Sequence, residues 1–192
     1  MDVTRLLTIG AALLGAGAIL TFAACGGDDG AETRARGEEF DRAFIDAMVP
    51  HHESAIEMAR AAKEAGLGQP ELVEVADDIL ATQQDEIDQM KEWRGEWFGS
   101  STIDPEGAAA LGLSESEMGM QHDADELANS TDIDADFAQM MIPHHQGAIT
   151  MAKLAKERAE HEGLKELADA IIEAQEREID VMRPHASGEH HG

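Results

Sequence analysis

Apolar residues recur at alternating steps of four and three residues along much of the chain, which is the period of an amphipathic α-helix. A first stripe of this kind contains Phe44, Met48, His51, Ala55, Met58 and Ala62. Gly66, Gly68 and Pro70 end it, because glycine and proline terminate helices. A second stripe contains Leu72, Ala76, Ile79, Gln83, Ile87 and Met90. The pattern predicts a pair of antiparallel helices.

The same pattern occurs a second time along the chain. Residues 44–66 align with residues 137–159, and Gly163 is the break in the second copy. The second stripe is also repeated, with matched residues at Glu166, Ile171, Gln175, Glu178, Ile179, Asp180 and Met182. Two duplicated helical hairpins packed together predict an all-α, ferritin-like four-helix bundle.

The domain boundaries follow from this duplication. We predict a bundle over residues 38–185, divided into repeat 1 at 38–97, a linker at 98–113 and repeat 2 at 114–185. The linker is rich in glycine and serine and contains Pro105, whereas a short helix is expected over residues 114–127. Residues 186–192 are expected to form a disordered tail.

The N-terminus has the features of an export signal. Arg5 precedes an apolar run at residues 6–24, which ends at Cys25. The residues before this cysteine resemble a bacterial lipobox, although Phe22 stands where an aliphatic residue is usual. We predict a lipoprotein signal peptide at 1–24, lipid on Cys25 and a flexible tether at 25–37. An uncleaved membrane helix is the second reading, since the run is almost long enough to span a bilayer.

The amino-acid composition excludes some classes of function and of metal site. The formal net charge is -26, which argues against nucleic-acid binding, since phosphates require clustered lysine and arginine. Cys25 is the single cysteine, so a site made of thiolate ligands is excluded. Export and a lipid anchor together predict an extracytoplasmic protein, periplasmic or at the cell surface, attached to the cell membrane.

Pro50 and Pro143 occupy matched positions inside the two helical patterns that carry the histidines. A proline inside a helix removes one hydrogen bond and presses on the carbonyl four residues earlier. A kink that orients the neighbouring histidines is therefore expected. Alternatively, Pro50 begins a new helix at its first turn.

The chemistry of the repeat lies in its Met-x-x-His-His motif. Helical bundles build metal sites from pairs such as Glu-x-x-His, but this chain has Met-x-x-His instead. Thioether sulfur favours Cu(I), and imidazole also suits Cu(II). The candidate ligands are Met48, His51, His52, Met58, Met141, His144, His145 and Met151. The alternative is that the methionines fill the core and the histidines only make buried hydrogen bonds.

Other polar residues are candidates for supporting roles. Gln83 and Gln175 interrupt apolar stripes, and they either orient the ligands as second-shell groups, with Met90 and Met182 nearby, or bond to the backbone. Asp41 and Asp134 either cap helices or accept hydrogen bonds near the site. Weaker methionine and histidine clusters lie outside the repeat, at Met118, Met120 and His122 and at His185, His190 and His191.

Both copies share the pattern Phe-x-x-x-Met-x-Pro-His-His-x-x-Ala-Ile-x-Met-Ala, followed by Gln-x-x-Glu-Ile-Asp-x-Met. This arrangement resembles the DUF305 family. The resemblance implies a secreted or periplasmic ferritin-like bundle and, from a copper-binding member, a role in copper handling. Copy one departs from the commoner pattern, because Glu53 stands at the position of Gln146. If Glu53 faces inward, the first site becomes more tolerant of Zn or Fe.

These observations predict a membrane-anchored, extracytoplasmic protein that binds or buffers copper, with copper ions as its partners. No catalytic residue or nucleotide-binding loop is identified, and no protein partner can be named. Two alternatives stay open, namely a ferritin-like metal-dependent oxidase and a structural or partner-binding lipoprotein without metal.

Overall fold

Four long helical runs form the body of the protein. The computed structural model describes residues 28–122 and 124–187, and these residues contain no β-strand. Its helices are α1 (Asp28–Ala65), α2 (Pro70–Asp78), α3 (Gln84–Phe98), α4 (Gly107–Leu111), α5 (Ala124–Leu127), α6 (Ile133–Arg158) and α7 (Glu162–Met182). A π-helical turn at Ile79–Gln83 joins α2 to α3. The predicted all-α four-helix bundle is confirmed.

The loop between α1 and α2 is closed by a glycine. Gly66 has a φ of 100°, a backbone conformation that glycine adopts without strain. Two hydrogen bonds complete the end of α1, from Leu67 N to the Ala62 carbonyl at 2.9 Å and from Gly66 N to the Lys63 carbonyl at 3.3 Å. This is a Schellman ending, which directs the chain back along the bundle.

Asp41 and Asp134 connect the two hairpins. Asp134, on α6, accepts hydrogen bonds from the backbone N–H groups of Gly68 and Gln69, just before α2. Asp41, on α1, accepts them from Glu160 and His161, just before α7. Each aspartate therefore caps the second helix of the opposite hairpin and satisfies N–H groups that a helix start leaves free.

The interior is formed by the apolar stripes. Phe44 on α1 and Phe137 on α6 are completely buried, and α1 contacts α6 as well as α2 and α3. On the other side of the bundle, α7 packs against α6 and α2. The first helices of the two hairpins therefore form the central pair, and their matched histidines lie inside the bundle.

Two local features differ from expectation, and a third decides between the two readings of Pro50. The first helix begins at Asp28, inside the segment expected to be a tether, and ion pairs between Arg34 and Glu38 and between Arg36 and Glu32 support these turns. The helix expected over residues 114–127 is confined to α5, because Gly119 has a φ of 69° and interrupts it. Finally, α1 is continuous through Pro50, so no new helix begins there.

The predicted signal peptide and Cys25, the predicted site of lipidation, lie outside the described residues, as do His190 and His191 of the tail. Among the helices that the structure describes, none combines the length and apolar character needed to cross a membrane. His185 lies in a turn that follows α7.

A buried ion pair attaches the linker to the first hairpin. Arg94 donates from Nε and Nη2 to the carboxylate of Asp46, at 2.8 and 3.1 Å, and both side chains are almost fully buried. Arg94 also donates to the Ser100 carbonyl, and Asp46 accepts from the backbone N–H of Asp104. Since every charge in this cluster has a partner, the linker is fixed beside α1.

We predict that Arg94→Met destabilises the protein by about 3–5 kcal/mol, because it leaves the Asp46 carboxylate buried without its counter-charge. Urea unfolding at neutral pH measures this free energy. The matched control is Arg177→Met, which removes an exposed arginine paired with Glu173 and should change stability by less than about 0.5 kcal/mol. Equal effects of the two substitutions would contradict the assignment.

Candidate metal centre

Four histidine rings meet where α1 and α6 pass each other. His51, His52, His144 and His145 are each at most 1% exposed. The rings of His51 and His144 are stacked across the interface, with centroids 3.8 Å apart and planes tilted by 35°. The two copies of the motif therefore form one cluster on the bundle axis.

Hydrogen bonds hold the Nε2 atom of three of these rings. His51 Nε2 lies 2.8 Å from the carbonyl oxygen of Met118. His52 Nε2 lies 2.8 Å from the carboxylate of Glu86, and His145 Nε2 lies 2.5 Å from the carboxylate of Glu178. Because a carbonyl or an ionised carboxylate only accepts, Nε2 carries the proton and donates in each case.

The remaining ring nitrogens have no partner. Nδ1 of His51, His52 and His145 is buried without a hydrogen bond, and in His144 both nitrogens are unpartnered. Buried polar atoms are nearly always paired in native proteins, and binding of an ion is one accepted explanation for those that are not. A neutral ring that donates from Nε2 has its lone pair on Nδ1, which is the atom that binds a metal ion.

The central rings are held in the neutral form that metal ligation requires. Burial, followed by the charge of neighbouring His52, lowers the pKa of His51 from 6.5 to about 3. Burial and the charges of the other three histidines hold the pKa of His144 well below its ordinary value. Metal binding at these two rings therefore needs no prior loss of a proton.

Buried methionines lie on the same helices as the rings. Met48 and Met141 precede His51 and His144 by three residues, one turn of helix away. The predicted ligand and supporting methionines are all at most 1% exposed, namely Met48, Met58, Met90, Met141, Met151 and Met182. Thioether sulfur is therefore available inside the bundle on all four long helical runs.

The polar neighbours of the rings differ from those expected. The Oε1 atoms of Gln83 and Gln175 are buried without a partner, and neither amide bonds to a histidine. Glu86 and Glu178, one turn further along, make those bonds instead. The duplication had already matched these two glutamates, but a charged residue in a helix usually faces water. Glu53 faces outward and accepts from Lys91, so it does not alter the site.

The weaker cluster of Met118, Met120 and His122, which precedes α6, is divided by the fold. Met118 is buried and its carbonyl holds His51, whereas His122 is exposed and lies near Glu126. The backbone carbonyl of Met118 is a site contact that sequence analysis missed, because no side-chain pattern marks it.

The donor set fits a soft ion better than a hard one. In the described ranges, no group of three or more His, Cys, Asp or Glu side chains converges as metal ligands would. A nitrogen and oxygen site of the zinc or diiron type is therefore not preformed there. Pairs of imidazoles together with thioethers remain, and this combination suits Cu(I).

Acid should destabilise the metal-free protein through the two central rings. Folding lowers the pKa values of both rings, so the unfolded chain takes up protons first. Their contribution to stability is complete above pH 6.5 and is lost as the pH falls, and for His51 the loss continues to about pH 3. Below pH 6.5 the free energy of unfolding should fall by about 1.4 kcal/mol per pH unit for each ring.

Urea unfolding between pH 7 and 5 measures this slope. The double variant His51→Gln/His144→Gln should lose it, whereas His122→Gln/His185→Gln, at positions outside the cluster, should retain it. An unchanged slope in the first variant would contradict neutral burial of these rings.

The fold and the motifs are shared with known proteins. A family model described as DUF305, a domain of unknown function, matches residues 28–94 and 65–186. Among curated proteins, none matches the chain significantly.

Solved structures also match. CopM in the Cu(I)-bound form is 35% identical over 77% of this chain and 96% of its own, with a TM-score of 0.65. CopM in the Cu(II)-bound form is 35% identical over 78% and 97%, with a TM-score of 0.67. A DUF305 candidate secreted protein from Streptomyces coelicolor is 26% identical over 76% and 91%, with a TM-score of 0.67. The present chain belongs to the DUF305 family.

Proposed function

We propose that this protein is an extracytoplasmic copper-binding protein that buffers copper through the paired Met-x-Pro-His-His motifs. The observation that carries the proposal is the set of buried, unpartnered ring nitrogens of His51, His52, His144 and His145. Leaving so many buried acceptors unpaired is costly unless a ligand uses them.

The chemistry of the donors favours Cu(I) as the ion held. Cu(I) accepts soft thioethers together with imidazole, whereas Cu(II) relies more on the imidazoles. His51 and His144 are neutral by virtue of burial, so their nitrogens present lone pairs over the whole physiological pH range. The methionines Met48 and Met141, one turn away, are the nearest thioethers along the chain.

We infer one shared centre rather than two separate ones. The rings of His51 and His144 come from different hairpins and are in direct contact. An ion that binds one of them from the interior therefore lies within reach of the other. Binding requires the stacked rings to turn, because no ligand trio of nitrogen and oxygen donors is preformed among the described residues.

Glu86 and Glu178 act as positioning residues in this proposal. Each carboxylate accepts from Nε2 of a buried histidine and so leaves the lone pair of that ring on Nδ1. Carboxylate–histidine–metal arrangements of this kind fix the tautomer and raise the basicity of the ligand. Both glutamates are partly exposed, at 17% and 12%, so their charge stays in contact with water.

The similarity to CopM supports copper as the ion. CopM structures with Cu(I), Cu(II) and Ag share the fold of this chain, at 33–35% identity. The Streptomyces coelicolor relative supports a location outside the cytoplasm. We also propose that lipid on Cys25 attaches the protein to the membrane. This part of the proposal rests on the N-terminal sequence alone.

The purified full chain should bind Cu(I) in competition with a chromophoric Cu(I) chelator. Replacing His51, His52, His144 and His145 together by glutamine should weaken binding by at least about 100-fold, because the nitrogen donors are lost. The control His122→Gln/His185→Gln should keep the affinity of the unsubstituted chain. Circular dichroism verifies that both variants remain helical.

Equal Cu(I) affinity in the four-histidine variant and the control would refute the proposed site. The same titration gives the number of Cu(I) ions bound per chain. One high-affinity ion per chain is expected for a shared centre. Consumption of O₂ when Cu(I) or Fe(II) is supplied would instead favour the oxidase alternative.

Removing the two positioning carboxylates should weaken Cu(I) binding without abolishing it. We expect Glu86→Gln/Glu178→Gln to lower the affinity by about 10–100-fold, the usual effect of losing such partners. Glu57→Gln/Glu157→Gln changes the net charge equally at two exposed positions and should have little effect. If both double variants lost the same amount of Cu(I) affinity, general electrostatic attraction would explain the loss and the positioning role would be wrong.

A further inference from the structure

Residues 114–120, the crossing segment, pass directly over α6 beside the histidine centre. The contact is possible because two glycines lack side chains. A Cβ on Gly147 would lie 1.9 Å from the carbonyl oxygen of Met118, and a Cβ on Gly119 would lie 2.2 Å from the carbonyl oxygen of Pro143. Such distances do not occur between real atoms, so no other residue fits at either position without displacing the segment.

This close approach places a backbone carbonyl on one histidine. The Met118 carbonyl accepts from His51 Nε2 at 2.8 Å, and the Met118 side chain is itself buried. The crossing segment thus forms the wall of the centre at His51. It also fixes this ring with the proton on Nε2 and the lone pair on Nδ1.

The two halves of the centre consequently differ. His144, the counterpart of His51, has no hydrogen-bond partner at either ring nitrogen. Ser54 occupies the position in α1 that Gly147 occupies in α6, so the first hairpin lacks the glycine that permits a close crossing. One central ring is held by a hydrogen bond, whereas the other is held by packing alone.

The crossing segment is held together by its own hydrogen bonds. Its own bonds link Met118 N to the Ser114 carbonyl and Met120 N to the Glu115 carbonyl. Ser114 is also bonded at its N–H and its hydroxyl to Glu117. Residues 114–117 are exposed, so the segment is held to the bundle through Met118, Gly119 and Met120.

We propose that the crossing segment is the gate of the histidine centre, holding His51 in one tautomer and limiting metal exchange until the segment moves. His144, which has free nitrogens, is then the ring that first meets the ion. This inference rests on the proposed copper function for its kinetic part, but the tautomer of His51 is a property of the metal-free protein.

The test compares Gly147→Ala with the matched control Ser54→Ala, both in the full chain. Alanine at residue 147 must displace the Met118 carbonyl, whereas alanine at residue 54 removes only a hydroxyl. Gly119→Ala disturbs the same contact from the opposite side and serves as a second variant if the first folds poorly. Nitrogen-15 NMR of the histidine rings gives the tautomer, and stopped-flow transfer of Cu(I) to a chromophoric chelator gives the exchange rate.

In the unsubstituted chain and in Ser54→Ala, His51 should be protonated at Nε2, and the transfer of Cu(I) from the protein to the chelator should be slow. Gly147→Ala should give mixed tautomers at His51 and at least about tenfold faster transfer. An unchanged tautomer, or a changed tautomer with unchanged transfer, would overturn the gate. If the unsubstituted chain binds no Cu(I), the copper function fails and the gate fails with it, while the NMR comparison still decides whether the segment positions His51.

Discussion

Burial of four imidazole rings between α1 and α6 is the constraint on which the rest of the structure depends. A ring removed from water loses its hydration, so the charged form is disfavoured and each nitrogen needs a partner. The protein supplies a partner to one nitrogen of three rings, through Glu86, Glu178 and the Met118 carbonyl. The Nδ1 atoms of these rings and both nitrogens of His144 stay buried without a partner. This partial satisfaction separates the cluster from an ordinary buried hydrogen-bond network.

The surrounding bundle fixes the position of one hairpin along the other, and with it the positions of the four rings. Asp41 and Asp134 cap helices of the opposite hairpin, so neither hairpin can shift along the other without losing these bonds. The Asp46–Arg94 pair then fixes the linker to the first hairpin. From there the linker leads to the segment that crosses α6. The asymmetry of the centre therefore arises from the crossing segment and from the glycine of α6 that admits it, Gly147, which Ser54 replaces in α1.

The fold could be predicted from the sequence because the helical stripes and the duplication are strong, local signals. The candidate donors followed from the same duplication, since Met and His recur at matched positions on a buried face. Glu86 and Glu178 were matched as well, but their role depends on how two helices face each other, which periodicity does not give. The Met118 carbonyl and the crossing at Gly147 are backbone features that depend on tertiary packing. Glu53 could not be placed inside or outside from spacing alone, because it borders the buried stripe.

The central claim is that both copies of the motif hold one soft ion between His51 and His144. Anomalous diffraction from crystals of the full chain grown with Ag(I) tests it directly, since silver replaces Cu(I) and is located without assumption about its ligands. The account predicts an anomalous peak within bonding distance of a nitrogen of each ring and of at least one buried methionine sulfur. Peaks confined to surface residues such as His122, with none among the four buried rings, would contradict it.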